Sequence, residues 1–297
     1  MESYMQKASI LQRVSQVFLW LLPIEFPLFS ISGSPLRGLL YQPGNLIPLF
    51  IFAAIHVVLM CGAVWTIVGE PLRNKSDEQR HLLVAAVFLL AAWTSIEILI
   101  PMGPPIQGQT YFDFPLDPYL RHTVLVVASL LAFGGFAILT AALLKVGVRV
   151  LSMLGFAGMI IFTVHHIAEQ ALAASGLARL LYTSSAITPD FQHGINNFLF
   201  VTSAFSLICG YMATGLYAVA LPKLGLGNVK ARVFAGISFF AVASLLVVGI
   251  ASVVNNSRAF NPFGIPAIPF LLPYFMGVTL LQRAGHPDDG LQSITAA

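Results

Sequence analysis

Long uninterrupted runs of apolar residues, separated by shorter polar stretches, follow one another along the whole chain. A hydrocarbon layer about 30 Å thick is crossed by a helix of about 20 residues, and eight of the runs are close to that length. Because the runs are continuous rather than alternating, they exclude the strands of a membrane barrel. The pattern predicts an all-α integral membrane bundle of eight transmembrane helices, near residues 15–33, 46–69, 82–102, 122–144, 147–171, 195–221, 232–254 and 262–281.

The composition excludes a water-soluble protein. The 297-residue chain is 57% hydrophobic and only 9% charged, whereas soluble domains carry about 25% charged residues. The predicted helices use most of the chain, so no soluble domain of ordinary size remains. We therefore expect a single polytopic membrane domain over residues 1–297, with membrane lipids as the partners of its outer surface.

The basic residues divide unevenly between the two sides that eight alternating helices define. Eleven of the 15 lysines and arginines fall on one side and four on the other. The larger group is Lys7, Arg13, Arg73, Lys75, Arg80, Lys145, Arg149, Lys223, Lys230, Arg232 and Arg283. An excess of Lys and Arg marks the cytoplasmic side, which predicts that both termini are cytoplasmic. The basic residues are scattered among loops, which is typical of orientation signals and not of a nucleic-acid-binding surface.

An alternative for the first run is a cleaved signal peptide over residues 1–33, since two basic residues precede the run and the small residues "SISGS" follow it. Cleavage would leave seven helices and an external N-terminus. Glu25, which lies inside the run between Pro23 and Pro27, argues against this alternative. A bacterial inner membrane is the location expected for such a bundle, by base rate alone.

Prolines interrupt two of the predicted helices. Pro23 and Pro27 lie in the first, and the last carries a larger set: Pro262, Pro266, Pro269 and Pro273. Proline removes a backbone donor and bends a helix, and in a membrane the freed carbonyls need partners in protein or water. Kinked helices beside a cavity and a simple irregularity of packing both remain open.

The stretch "FTVHHIAEQ", residues 162–170, places His165, His166 and Glu169 at the end of an apolar run. The other ionisable residues well inside predicted helices are Glu25, His56 and Glu97. With the topology above, all of these residues lie in the outer halves of their helices. A charge at the centre of a bilayer costs about 2.5–3.5 kcal/mol or more, so we expect these side chains to face the interior of the bundle.

These residue types indicate metal or acid–base chemistry. Adjacent helical residues point about 100° apart, whereas His165 and His166 can each share a face with Glu169. Bundle metal sites combine carboxylates and histidines from facing helices. We predict metal ligation by His56, His165, His166 and Glu169, with haem as an alternative cofactor, and acid–base catalysis by Glu25 and Glu97. A solvated helix end would explain the trio in the stretch equally well.

Three functions remain open. The first is an intramembrane enzyme or cofactor-binding protein whose site faces outward and takes a lipid-like or small substrate. The second is a proton-coupled transporter, since intramembrane Glu and His commonly form proton relays. The third is a non-catalytic membrane component. Apart from Arg149 and Arg232 at the helix ends, the inner halves of the predicted helices carry no charged residue or histidine, which favours the first and third because alternating access usually uses a site at the bilayer midplane.

Overall fold

The computed structural model describes residues 2–24, 45–68, 75–99, 102, 116–174, 188–254 and 261–285. Over these ranges the chain forms eight α-helices: α1 (Glu2–Leu21), α2 (Ile47–Val68), α3 (Asp77–Glu97), α4 (Leu116–Lys145), α5 (Arg149–Ala174), α6 (Pro189–Ala220), α7 (Asn228–Val254) and α8 (Leu271–Gly285). Short 3-10 turns occupy Leu22–Ile24, Leu221–Leu224, Pro262–Gly264 and Ile268–Phe270. The predicted all-α membrane bundle is confirmed.

Six of the described helices, α2 to α7, are long and apolar enough to cross a membrane. Within the described residues, the apolar stretch of α1 and the turn after it is Ile10–Ile24, and α8 has 15 residues. Much of the apolar surface faces outward: only 22% of the apolar window of α2 and 33% of that of α7 is buried inside the protein. The chain is therefore a multi-pass membrane protein whose outer faces are suited to contact with lipid.

Two helices begin earlier than their apolar runs because polar residues cap them. Ser76 Oγ accepts a hydrogen bond from the Gln79 backbone N–H at 3.3 Å, and Gln79 Oε1 accepts one from the Ser76 N–H at 3.2 Å, so α3 starts at Asp77 instead of near residue 82. Thr188 caps α6 by accepting a hydrogen bond from the Phe191 N–H, and Pro189 follows at the first helical position, which suits a residue without an N–H.

The prediction of a continuous helix over residues 262–281 is wrong. Two 3-10 turns occupy its first part, and α8 begins only at Leu271. Pro262, Pro266 and Pro269 have no N–H to donate, so this stretch cannot form the regular bonds of a helix interior. Pro273 is tolerated because it lies in the first turn of α8, where the N–H groups have no intrahelical acceptor. We call residues 261–270 the proline-rich segment.

Helices α3 to α7 pack in chain order, each against the next, and α8 returns to pack along α3. The rings of Trp93 and Tyr274 lie 6.4 Å apart, while a Cβ on Gly277 would lie only 3.1 Å from the Ala86 carbonyl oxygen. The two helices are therefore antiparallel and closely packed. The Tyr274 hydroxyl also donates to the Leu19 carbonyl at 2.7 Å, which ties α1 to α8.

Helices α5 and α6 pack against each other in an antiparallel register that small residues define. A Cβ on Gly210 would lie 2.7 Å from the Phe162 ring, and a Cβ on Gly158 would lie 3.3 Å from that of Ala213. Such close approach of backbones is typical of glycines between membrane helices. Phe162 is thus level with Gly210. Each later residue of α5 is level with a correspondingly earlier residue of α6.

Candidate functional site

His166 lies in the core of the bundle. Its side chain is only 1% exposed, and its ring stacks on Phe162 with the centroids 5.1 Å apart. On another side it meets Phe270 of the proline-rich segment at 5.7 Å. Neither ring nitrogen has a hydrogen-bond partner among the described residues. Because a neutral imidazole carries one N–H donor and one acceptor, and a buried polar group left without a partner costs about 1–3 kcal/mol, this position calls for an explanation beyond packing.

His165 and His56 have different surroundings from His166. Nδ1 of His165 lies 3.0 Å from the Ile161 carbonyl one turn earlier, and Nδ1 of His56 lies 3.1 Å from the Phe52 carbonyl in the same relation. A carbonyl oxygen only accepts, so each Nδ1 carries the proton. Both side chains are half-buried, and the Nδ1 of each is hydrogen-bonded within its own helix.

The last two polar residues of the stretch connect α5 to its neighbours on opposite sides. Glu169 accepts a hydrogen bond from the Ser203 hydroxyl on α6. Gln170 Oε1 lies 2.7 Å from Nδ1 of His122 on α4. Two adjacent residues near the end of α5 therefore bind different neighbours: Glu169 binds α6 and Gln170 binds α4.

The predicted catalytic and metal residues do not come together as one site in the described part of the chain. Glu97 is 1% exposed at the end of α3 and lies close enough to Tyr274 for the two side chains to interact electrostatically. Glu25 lies outside the described residues. Among the described residues, no three His, Cys, Asp or Glu side chains are placed to hold one metal ion. Metal or haem ligation and the catalytic roles therefore stay predictions.

A polar chamber lies between α6, α7 and the proline-rich segment. Its volume is about 360 Å³, its lining is mostly apolar, and it takes its name from its two polar side chains, Ser203 and Asn261. Asn261 is held in place at both ends of its amide: Nδ2 donates to Ser244 Oγ at 3.2 Å, and Oδ1 accepts from the Phe263 N–H at 3.0 Å. The Tyr211 hydroxyl donates to the Phe263 carbonyl at 3.3 Å. The segment that closes the chamber is thus anchored on both α6 and α7.

An apolar groove of about 370 Å³ adjoins the polar chamber. The residues that line both spaces are Phe200, Ala204, Leu245 and Gly249. The other residues of the groove face outward: Val201 is 58% exposed and Ile250 is 64% exposed. The groove therefore opens on the surface that contacts lipid, and the chamber lies behind it.

Both spaces lie towards one end of the bundle. Ser203 lies in the first half of α6, and Gly249 lies five residues before the end of α7. The distribution of basic residues predicts that this end is external.

The sequence interpretation missed Ser203 and gave no role to Gln170. A signal for the α5 face was present, since Thr163, His166 and Gln170 are spaced by three and four residues. No comparable signal marks Ser203, because a serine in a membrane helix usually bonds to the carbonyl one turn earlier. A comparison of the chain with protein-family models, curated proteins and solved structures found no match. The functional argument therefore rests on the geometry described above.

Proposed function

We propose that the protein binds a lipid-like amphiphile, with its polar group in the polar chamber beside Ser203 and Glu169 and its apolar chain in the apolar groove. The observation that carries this proposal is the double position of Ser203. It forms part of the chamber wall, and its hydroxyl donates a hydrogen bond to Glu169 near the end of α5. A ligand in the chamber is therefore in contact with a hydroxyl backed by a carboxylate.

The chemistry of this pair indicates the polar group that it accepts. A hydroxyl has one proton and two acceptor positions. Because the Ser203 hydroxyl donates its hydrogen bond to the Glu169 carboxylate, it offers only acceptor positions to the chamber. A hydroxyl or ammonium group on the ligand satisfies these positions, and the carboxylate behind them favours a positive charge. A carboxylate head group would instead bring a second negative charge to this place.

The groove fits the apolar part of the same molecule. It is lined by aliphatic and aromatic side chains, and it is continuous with the chamber through the four shared residues. A Cβ built on Gly249 meets no atom within 4 Å, which shows how much room lies at the junction of the two spaces. A chain that enters sideways from the lipid buries apolar surface without leaving the hydrocarbon layer.

This proposal continues the first of the three functions, in which the protein takes a lipid-like substrate from the outer leaflet. Catalysis by Glu97 and Glu25 belongs to the proposal as a prediction, as does a bacterial inner membrane as the location. A transporter and a non-catalytic component remain as alternatives, and no specific contact among the described residues favours either over ligand binding.

Filling the junction tests the proposal. We expect Gly249→Leu to weaken binding about tenfold, the equivalent of about 1.4 kcal/mol, because the new side chain occupies the space shared by chamber and groove. The probe is a photoactivatable long-chain amine in liposomes that contain the protein, and the measurement is the amount of cross-linked probe mapped to peptides of α6 and α7. Gly236→Leu is the matched control, since Gly236 lies on the same helix, is exposed and has no atom within 4 Å of its Cβ.

A second probe tests the polar group. A photoactivatable fatty acid of the same chain length should label the groove less than the amine does, and Ser203→Ala should reduce this preference. Thr202→Val is the control for Ser203→Ala, because Thr202 donates to the Phe198 carbonyl of its own helix and lies outside the chamber wall. Equal labelling of the wild type and Gly249→Leu by the amine would contradict the proposal.

A further inference from the structure

Three buried polar side chains of α5 and α6 lack hydrogen-bond partners among the described residues. They are His166, at both ring nitrogens, Thr163, at its hydroxyl, and Ser206, at its hydroxyl. Their exposed fractions are 1%, 6% and 0%. A buried polar atom without a partner is rare in native proteins and commonly marks a bound water, an ion or a functional group.

The buried Ser238 hydroxyl on α7 also lacks a partner among the described residues, but several other buried serines and threonines bond to their own helices. The Ser129 hydroxyl donates to the Leu125 carbonyl at 2.8 Å, and the Thr214 hydroxyl donates to the Gly210 carbonyl at 2.9 Å. The same bond to the carbonyl one turn earlier is made by Thr94, Thr140 and Thr279. Thr163 and Ser206 do not make it, so their hydroxyls are directed elsewhere.

The register of α5 and α6 places His166 and Ser206 at one level and Thr163 about one turn deeper. Phe162 is level with Gly210, and Glu169 is hydrogen-bonded to Ser203, so seven steps along α5 match seven steps back along α6. His166 is therefore level with Ser206. Thr163 lies three residues before His166, and so shares its helix face.

The same register connects these side chains to the polar chamber. Ser203 and Ser206 are three residues apart on α6, as are Glu169 and His166 on α5. Ser203 at the chamber wall and Glu169 behind it are thus followed one turn deeper by Ser206 and His166. We call this series of polar side chains, which ends at Thr163, the polar strip; it runs from the chamber into an otherwise apolar core.

We propose that Thr163, His166 and Ser206 form an internal hydration site, through which a proton moves between Glu169, behind the chamber wall, and His166 in the core. Buried waters typically make about three hydrogen bonds to groups that have no other partner, and two hydroxyls and an imidazole supply that number. The site stands on these three side chains, and it holds whether or not an amphiphile binds in the chamber.

In this transfer the Glu169 carboxylate first takes up a proton from the side of the chamber. The resulting carboxyl releases it inward, the hydroxyls and the internal water each accept one proton and release one, and a ring nitrogen of His166 gains the last. The products are a carboxylate and an imidazolium. His122 lies near enough to His166 to act on it electrostatically, but its Nδ1 is occupied by Gln170, so it is not the next acceptor at that atom.

Nitrogen NMR of the protein in lipid bilayers, with isotope-labelled histidine, tests the hydration site. The His166 signal is identified by its loss in His166→Gln. We expect its ring proton to exchange with water, and this exchange to slow several-fold in Ser206→Ala and in Glu169→Gln. His165→Gln is the matched control and should leave the exchange unchanged, because His165 bonds to its own helix. A His166 ring that shows no exchange with water overturns the proposal.

The melting temperature gives an independent test with opposite signs. If the Ser206 hydroxyl binds the internal water, Ser206→Ala removes a satisfied bond, and we expect a lower melting temperature than for Ser129→Ala. If no water binds to the hydroxyl, the substitution removes a buried polar group that has no hydrogen-bond partner, and the melting temperature rises. Thr163→Val should behave like Ser206→Ala, and an increase in both variants also overturns the proposal.

Discussion

At the scale of single residues, one position along α5 decides which neighbour a side chain meets. His165 bonds to its own helix and meets the Phe205 ring edge-on at 5.9 Å, whereas His166 is enclosed by Phe162 and Phe270. Glu169 reaches α6. The helical period predicts that His165 and His166 point in different directions, but the identity of the residue that each meets comes from another part of the chain.

Gly210→Ala tests the packing that holds the His166 ring. Its Cβ would lie 2.7 Å from Phe162, which in turn stacks on His166. We expect a loss of about 1–3 kcal/mol in the free energy of unfolding, the usual effect of overpacking a core. The measurement is unfolding in mixed detergent micelles. Gly62→Ala is the control, because its Cβ meets nothing within 4 Å, and alanine is better than glycine in a helix by about 1 kcal/mol. Equal stabilities for the two variants would show that Phe162 is not held tightly.

At the scale of helices and turns, polar residues beside the apolar runs determine where each element begins and ends. The capping box at Ser76 and Gln79 starts α3, and the prolines before Leu271 delay the start of α8. A carbonyl at the end of α8 is hydrogen-bonded by a residue far away in the sequence. Lys75 Nζ donates to the Ala284 carbonyl at 3.0 Å, and Lys75 is only 7% exposed. The last carbonyls of a helix need such partners because they have none within the helix.

Lys75→Met should therefore destabilise the protein. The bond to Ala284 is charge-assisted, and such bonds contribute about 1.5–3 kcal/mol. We expect a loss of that size in the free energy of unfolding in mixed micelles, with hydrogen exchange increased at the end of α8. Lys223→Met is the control, since Lys223 is exposed on the 3-10 turn after α6 and surface changes usually stay within about 0.5 kcal/mol. Similar losses in both variants would argue against a specific role for the bond.

At the scale of the whole molecule, the bundle has two different ends. The polar chamber, His166 and Glu97 lie towards the end at which α3, α5 and α7 finish. Lys75, Lys223 and Lys230 lie at the other end, where Lys230 donates to Gln282 Oε1 at 3.0 Å and lies 5.3 Å from the centre of the Trp20 ring. The charge distribution predicts that this second end is cytoplasmic.

Cysteine labelling tests this orientation on the two ends of one element. In a background without Cys61 and Cys209, a membrane-impermeant maleimide should react with Gly194→Cys in intact cells. It should react with Lys223→Cys only after the cells are permeabilised. Both positions are exposed, and they lie at opposite ends of α6 and the turn that follows it. The reverse pattern would show that the chamber faces the cytoplasm.

The sequence by itself determines that the protein is an all-α membrane bundle, because the transfer of each apolar run from water to lipid depends on its own composition. It also indicates which face of α5 is polar, since the helical period is a local property. The starts of α3 and α6 could have been predicted from "SDEQ" and "TPD", as capping is local too.

Only the tertiary structure decided which polar groups meet. The hydrogen bond between Glu169 and Ser203, the enclosure of His166 by a ring from the proline-rich segment, and the chamber between α6 and α7 all join residues far apart in sequence. Lipid is as apolar as the helix surfaces, so hydrophobicity does not select among helix neighbours in a membrane. Close packing at glycines and hydrogen bonds between helices make that selection, and both depend on the fitting of two surfaces that no single run of sequence contains.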